Sequence, residues 1–325
     1  MIGGSMDRSA LVARLLRPGR ADEQECRRLS ATKFIAEADW RVLRDHEREF
    51  LQAYAVGVAA QKAVLIGRSA ASVLGIWTLP AAGAPVTLAN PAHPAPRRAQ
   101  WPAGVEYRSM RIPPVDIQRV AHGHDALLTT TRARTAIDIA RMHGVRHGVV
   151  AMDSLFAHKT LGEREIARVE LEACIHRLAG KPGIAHARKA LEWSSTLSES
   201  PYESLLRVIL RERGITVQEQ MWIGRFARPD LLWGQLAIEI DGDIKFDENP
   251  KQAALEQVTR ENWVRVQNYE FARVQPWEIL RREAEVVQQI LELKERSLLL
   301  DAPKVPAIPN RPQHGEDWRR RRGAG

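Results

Sequence analysis

Cysteine is the rarest residue type: only Cys26 and Cys174 occur in 325 residues. Two thiols build neither a disulfide framework nor a four-cysteine zinc site, and they suit a reducing cytoplasm. Long apolar runs are missing too. Stretches such as Ala53 to Ala60, with Gly57 inside it, fall well short of the roughly 20 residues that span a bilayer. No cationic stretch followed by an apolar core opens the chain, so neither a secretory signal nor a membrane partner is expected. There is no G-x-G-x-x-G, no P-loop and no G-x-S-x-G, which leaves nucleotide cofactors and hydrolase serines without support.

What is present is a globular balance, with 44% hydrophobic and 27% charged residues, unlike that of disordered or fibrous chains. The length is about twice that of a usual domain, so two domains are expected. A net charge of +8 and a pI near 9.8 favour a polyanionic partner such as nucleic acid. Half of that excess is local. Between Ala302 and Gly325, Lys304, Arg311 and Arg319 to Arg322 stand against only Glu316 and Asp317. A tail of this kind serves solubility or touches DNA, and composition does not choose between them.

Patterning predicts a short helix around Ala10 to Leu16, stopped by Pro18-Gly19, and a longer one over Ala38 to Ala60. A strand over Ala63 to Ile66 leads into a helix from Ser69 to Leu74. The stretch Ala81 to Pro114 carries seven prolines and suits short strands joined by turns. Helices follow over Thr131 to Met142, Val149 to Phe156, Glu163 to Leu178 and Ile184 to Trp193. Asp138 is expected to pair with Arg134 or Arg141 along its helix. His122-Gly123-His124 and the His143/His147 pair could suggest metal ligands, but the first falls in a loop-like segment with no cysteine nearby and the second has Gly144 inside its spacing, so surface or core histidines are expected.

A Ser/Thr-rich segment, Ser194 to Ser200, marks the expected domain boundary. The mixed α+β N-terminal domain is placed at 1–196, a second domain at 197–299, and a basic Pro/Arg-rich tail at 300–325. The second domain reads as a helix (Pro201 to Arg213), strands at Ile215 to Ile223, Arg228 to Trp233 and Leu236 to Asp241, a helix (Gln252 to Gln267), a strand (Tyr269 to Val274) and a mostly helical end (Trp277 to Leu299). That α-β-β-β-α-β-α order predicts a central mixed sheet flanked by helices, an α/β class overall.

The strand pair carries the chemistry. With Gly234-Gln235 as a two-residue hairpin loop, Trp233 pairs with Leu236, and the register places Asp230 opposite Glu239 and Arg228 opposite Asp241. Alternation then puts Asp230, Glu239 and Asp241 on one face and Leu231, Ile238 and Ile240 on the other. Like charges facing each other across strands cost roughly 0.2–1 kcal/mol, which a hard cation would relieve. Mg²⁺ or Mn²⁺ takes one or two carboxylates, keeps waters and leaves room for phosphate oxygens. Lys245 is the ammonium available to stabilise developing charge. The same stretch also reads as a surface hairpin of solvated acids with an Arg228–Asp241 ion pair. Glu203 has two readings as well: Ser200-Pro201-Tyr202-Glu203 fits a capping box, and a site role for the glutamate is compatible with it.

Pro229-Asp230, then Glu239-Ile240-Asp241, after a helix bearing Glu203, resembles the PD-(D/E)XK nuclease superfamily. More narrowly, Ser198-Glu199-Ser200-Pro201-Tyr202-Glu203-Ser204, Glu239 to Lys245, and Arg260-Glu261 followed by Phe271-Ala272-Arg273-Val274 resemble actinobacterial proteins with a domain like the very-short-patch-repair endonucleases. The third position of the superfamily's E-x-K is Asp241 here, so a lysine role falls to Lys245. Gln257-Val258 and Asn262 also replace the family's commoner residues. Upstream, Gly67 to Gly75 and Leu128 to Arg141 are similar to the AbiEi-type antitoxin family, with its N-terminal winged helix short or absent. These resemblances imply a restriction-endonuclease-like second domain and a metal-dependent DNA endonuclease. In it Asp230 and Glu239 hold Mg²⁺ or Mn²⁺, Asp241 is a ligand or orienting group, Lys245 stabilises charge, and Glu203 positions water or a second ion. The alternative is a non-catalytic DNA-binding regulator of the antitoxin type. A third reading is a protein-interaction module that uses the helix from Trp277 to Leu299.

Overall fold

Short apolar strands and amphipathic helices build the first of two compact units, Gly4–Ser194; the other begins at Ser195. The computed structural model describes residues 6–19, 25–91, 94–122, 125–241 and 250–313. In the first unit, α1 (Arg8–Ala13) is capped by the Asp7 carboxylate, which accepts from the Ala10 N–H at 2.9 Å. The pair β1 (Cys26–Arg28) and β2 (Phe34–Ala36) leads into α2 (Glu37–Val42) and α3 (Asp45–Ala59). The single helix expected over Ala38 to Ala60 is thus two. The backbone turns extended at Leu43 (ψ 144°), and the Glu47 carboxylate restarts the helix by accepting from the Arg44 N–H at 2.8 Å.

Next come β3 (Val64–Leu65), α4 (Gly67–Leu74), β4 (Val86–Ala89), β5 (Val105–Arg108), β6 (Ile117–His122) and β7 (Asp125–Thr130). They form a mixed sheet in the order β5-β4-β3-β7-β6, with β3 parallel to β7 and β4 parallel to β5. Of the segment expected to be loop-like, His122 ends β6, while Gly123 and His124 lie outside the described residues. The β6–β7 register runs from Ile117 opposite Thr130 to His122 opposite Asp125. The polar residues of β6 and β7 hide the alternation in sequence, because much of this edge pair is only half-buried. Phe50, Tyr54, Leu65, Leu88 and Leu127 fill the core beneath the sheet.

The helices α5 (Arg132–His143), α6 (Val145–Phe156), α7 (Leu161–Arg177) and α8 (Ile184–Trp193) complete the unit. A buried ion network fastens α5 to α7 and to the turn ahead of β6. Arg134 donates to Asp138 and to Asp116, each at 2.8 Å, while Asp138 also receives Arg141 at 2.7 Å and Asp116 receives Arg177 at 2.6 Å. Asp138 therefore pairs with both arginines between which the sequence left a choice. Gly183, at φ +76° ahead of α8, lets the chain pass so close to α5 that a Cβ there would lie 2.3 Å from the Arg141 carbonyl oxygen.

The second unit runs α9 (Pro201–Glu212), β8 (Gln218–Glu219), β9 (Trp222–Ile223), β10 (Leu231–Trp233), β11 (Leu236–Ile240), α10 (Pro250–Val266), β12 (Glu270–Val274), α11 (Pro276–Arg281), α12 (Glu283–Ser297) and β13 (Ala307–Ile308). Its sheet has the order β12-β11-β10-β8; β11 and β12 are parallel and the other pairs antiparallel. This is the mixed α/β class expected. The hairpin register is also as read from sequence: Trp233 faces Leu236, Leu232 faces Ala237 and Leu231 faces Ile238, with Gly234 at φ +61° in the turn.

Three details differ from the sequence reading. The strand expected over Ile215 to Ile223 breaks in two around Gln220, which sits at φ +54°. β10 begins only at Leu231, so Arg228 never enters the ladder. The long terminal helix splits into α11 and α12 at Arg282. In addition, residues 301–313 run back along the unit rather than trailing from it. Gln235 donates to the Asp301 carbonyl, Asn268 to that of Ala302, and Tyr269 to that of Val305, each at 2.8–3.0 Å, and β13 pairs with β9. Val305 joins the core with Ile223, Leu232, Val264 and Phe271.

Candidate functional site

The carboxylates singled out from sequence gather at one end of the second sheet. Glu203 arrives on the first turn of α9. Pro201 presets that turn, and Ser200 caps it by accepting from the Glu203 N–H at 3.2 Å. The capping reading is therefore correct, with a difference. The Glu203 carboxylate reaches back to accept from the Glu199 N–H at 2.8 Å, one residue before the cap. The same oxygen also accepts from the Gln220 side-chain amide at 3.0 Å. Gln220 lies 3.4 Å from Asp230 Oδ1 as well, so a single amide stands between the carboxylate of α9 and the one just ahead of β10. Asp230 is fixed from the other side, its Oδ2 accepting from the Ile240 N–H at 2.8 Å.

Burial governs the electrostatics. Desolvation, reinforced by the neighbouring Asp230, pushes the Glu203 carboxyl up to about 7. Desolvation also lifts Asp230, to about 6, against the opposing hydrogen bonds from Ile240 and Gln220. Glu239 rises too, by burial first and the nearby Asp230 second, while Arg260 and Arg273 pull it down. Glu203 and Asp230 titrate as a pair, and near neutrality the pair holds part of a proton.

Asp241 has a different environment. It accepts from Arg273 at 2.9 Å and Gln257 at 3.2 Å, and also from Gln275. The expected Arg228–Asp241 pairing does not form: Arg228 donates to Glu199 at 2.7 Å, because β10 starts too late to bring it across from Asp241. Lys245 lies outside the described residues. Among the described residues, no three His, Cys, Asp or Glu side chains converge into a group able to hold a metal ion. Asp230 lies close enough to both Glu239 and Glu203 for its charge to raise each of them. Two carboxylates are enough for Mg²⁺, which keeps most of its waters, so this donor set fits a hard divalent cation. Asp241, already engaged by three donors, fits the orienting role better than that of a ligand.

Sequence reasoning missed Gln220, Arg273 and Gln275. Gln220 carried no signal, since it sits inside a run that reads as continuous strand. Arg273 could have been found by placing the strand Tyr269 to Val274 parallel to Leu236 to Asp241, which sets it beside Glu239.

Fold and site together define a mixed α/β unit with a buried acidic cluster at the end of its sheet. No family model matches the chain. Two curated proteins of Mycobacterium tuberculosis are similar to it, one from strain CDC 1551 / Oshkosh and one from strain ATCC 25618 / H37Rv, and both are named as uncharacterized proteins. Each is 28% identical over 150 residues, covering 43% of this chain and 51% of the relative. The chain thus spans about half the length of the curated relatives it matches. Among the described residues, no helix is long and apolar enough to cross a membrane.

Proposed function

We propose that the unit beginning at Ser195 is a divalent-metal-dependent endonuclease that hydrolyses DNA phosphodiesters. One observation carries this reading: Glu203, buried on α9, and Asp230, half-buried just ahead of β10, share the Gln220 amide, and desolvation raises both carboxyls. A fold gains nothing from crowding unpaired acids, and perturbed carboxylates in such a cluster mark functional sites. The resemblance to PD-(D/E)XK nucleases supports it, as does the succession of α9, the β10–β11 hairpin, α10 and the parallel β12. The excess positive charge of the chain suits a DNA partner.

In this reading Asp230 and Glu239 hold Mg²⁺ or Mn²⁺. Once bound, the ion polarises the phosphate and lowers the pKa of a water. Glu203 accepts a proton from the attacking water or orients it, since its carboxyl titrates near neutrality. Gln220 keeps Glu203 and Asp230 apart and in register, and Lys245 is retained as a charge-stabilising group. The test is incubation of the full chain with supercoiled plasmid and with mismatched duplexes in Mg²⁺, Mn²⁺ or EDTA, beside Asp230→Asn. The asparagine still accepts from the Ile240 N–H, so the fold should survive while metal-dependent nicking is lost. Equal nicking by the variant would remove Asp230 from the site.

A non-catalytic DNA-binding regulator of the antitoxin type is the second reading. It is favoured by the engagement of Asp241 with Arg273, Gln257 and Gln275, which occupies the third carboxylate of the strand pair. DNA binding without cleavage in either metal would select it. A protein partner remains part of that reading.

A further inference from the structure

Asp241 stands where the E-x-K pattern carries its lysine, yet a cation does face Glu239. Arg273 lies beside Glu239 in the parallel register of β11 and β12. Alternation sends both side chains to the face that also bears Ala237 and Phe271. The guanidinium Nη1 donates to Asp241 Oδ1 at 2.9 Å; Nη2 lies 3.5 Å from Glu261 and 3.9 Å from Glu239. The last two separations are charge contacts rather than well-formed hydrogen bonds. Among the described residues, then, a single hydrogen bond fixes this guanidinium, and the rest of its five N–H donors stay open. Its side chain keeps 25% of its surface exposed.

Asp241 is the opposite case. Gln257 from α10 and Gln275 from the start of α11 donate to it beside Arg273, so the carboxylate is held from three sides and in turn holds the arginine. A planar fork pinned at one corner, with open donors beside a metal-binding carboxylate, matches two oxygens of a phosphate. A network that only joined strand ends would gain more by closing those donors on the three acids around them.

We propose that Arg273 is the phosphate-binding cation of the candidate site, delivered from β12 by Asp241, which occupies the lysine's place in the chain. This inference rests on the nuclease reading above. Asp241 is then a positioning residue, and Arg273 is the group that touches the DNA phosphate.

The experiment uses the full chain as wild type, Arg273→Ala, Arg273→Lys and Asp230→Asn. Duplex DNA binding is first measured in EDTA over a range of NaCl. Arg273→Ala should flatten the slope of log affinity against log salt by about 1, the signature of one lost phosphate contact, which a merely structural arginine would not produce. Plasmid cleavage in Mg²⁺ should fall by about 100-fold or more in Arg273→Ala and recover in part on adding methylguanidine. If Arg273→Ala does not fold, Arg273→Lys decides: it keeps the charge but loses the fork, so cleavage should drop with the salt slope retained, and a full rate overturns the proposal. An unchanged slope and near-wild-type cleavage in Arg273→Ala, with Asp230→Asn inactive, overturn the role of Arg273 and leave the nuclease reading standing. A wild-type chain that leaves plasmid intact in both metals sinks the nuclease reading; the salt slope then decides Arg273 alone, and an unchanged slope overturns it.

Discussion

Replacing Glu203 with Gln should turn a pH-dependent stability into a flatter one. In the folded chain burial and Asp230 raise this carboxyl from its ordinary 4.5 to about 7, so the native state binds the proton more tightly than the unfolded chain. The stability tied to that proton is complete below the unfolded value of 4.5 and declines as pH rises toward about 7. At about 1.36 kcal/mol per unit, the wild type loses roughly 2–3 kcal/mol between pH 5 and 8 that the glutamine variant does not lose. Relief of Asp230 acts in the same direction. The glutamine can still accept from the Glu199 N–H, so the α9 start is preserved. The assay is hydrogen exchange of α9 amides in the full chain under increasing urea, at pH 5, 6, 7 and 8. Stability curves for variant and wild type that stay parallel across this range would refute the argument that Glu203 is buried against its charge.

Three further predictions concern the first unit. Gly183→Ala should destabilise it by at least about 2 kcal/mol, because the new Cβ meets the Arg141 carbonyl at 2.3 Å and the residue sits at φ +76°. Gly162→Ala, with nothing within 4 Å, should be neutral or stabilising in the same melting experiment. Arg134→Met should cost about 3 kcal/mol in thermal or urea unfolding. It leaves Asp116 and Asp138 buried, though each keeps one other arginine; a change under about 1 kcal/mol would show that the network contributes little.

The elements that alternate or repeat cleanly were legible in the sequence. Leu231, Ile238 and Gly234-Gln235 set the hairpin register, Pro201 and Ser200 set the start of α9, and the Ser194 to Ser200 segment contains the point where the units divide. The site was legible as a set of residue types at a spacing, because period two and the hairpin register together put Asp230, Glu239 and Asp241 on one face. What stayed hidden depends on contacts across strands far apart in the chain. Nothing local marks Gln220 as the amide between two acids, since its role follows from the left-handed turn it takes. The pairing of Asp241 with Arg273 needs the parallel register of β11 and β12, which a helix-length connection leaves open. The strap of residues 301–313 was masked by its own composition: Val305 and Ile308 are too few to outweigh the prolines and arginines around them.

Calorimetric titration of Mn²⁺ into the full chain, wild type beside Asp230→Asn, tests the central claim most directly. The account predicts one divalent site in the wild type, tighter at pH 7.5 than at pH 5.5 because the carboxylates must shed their protons, and its loss in the variant. Equal binding by both proteins, or none by the wild type at either pH, would contradict it.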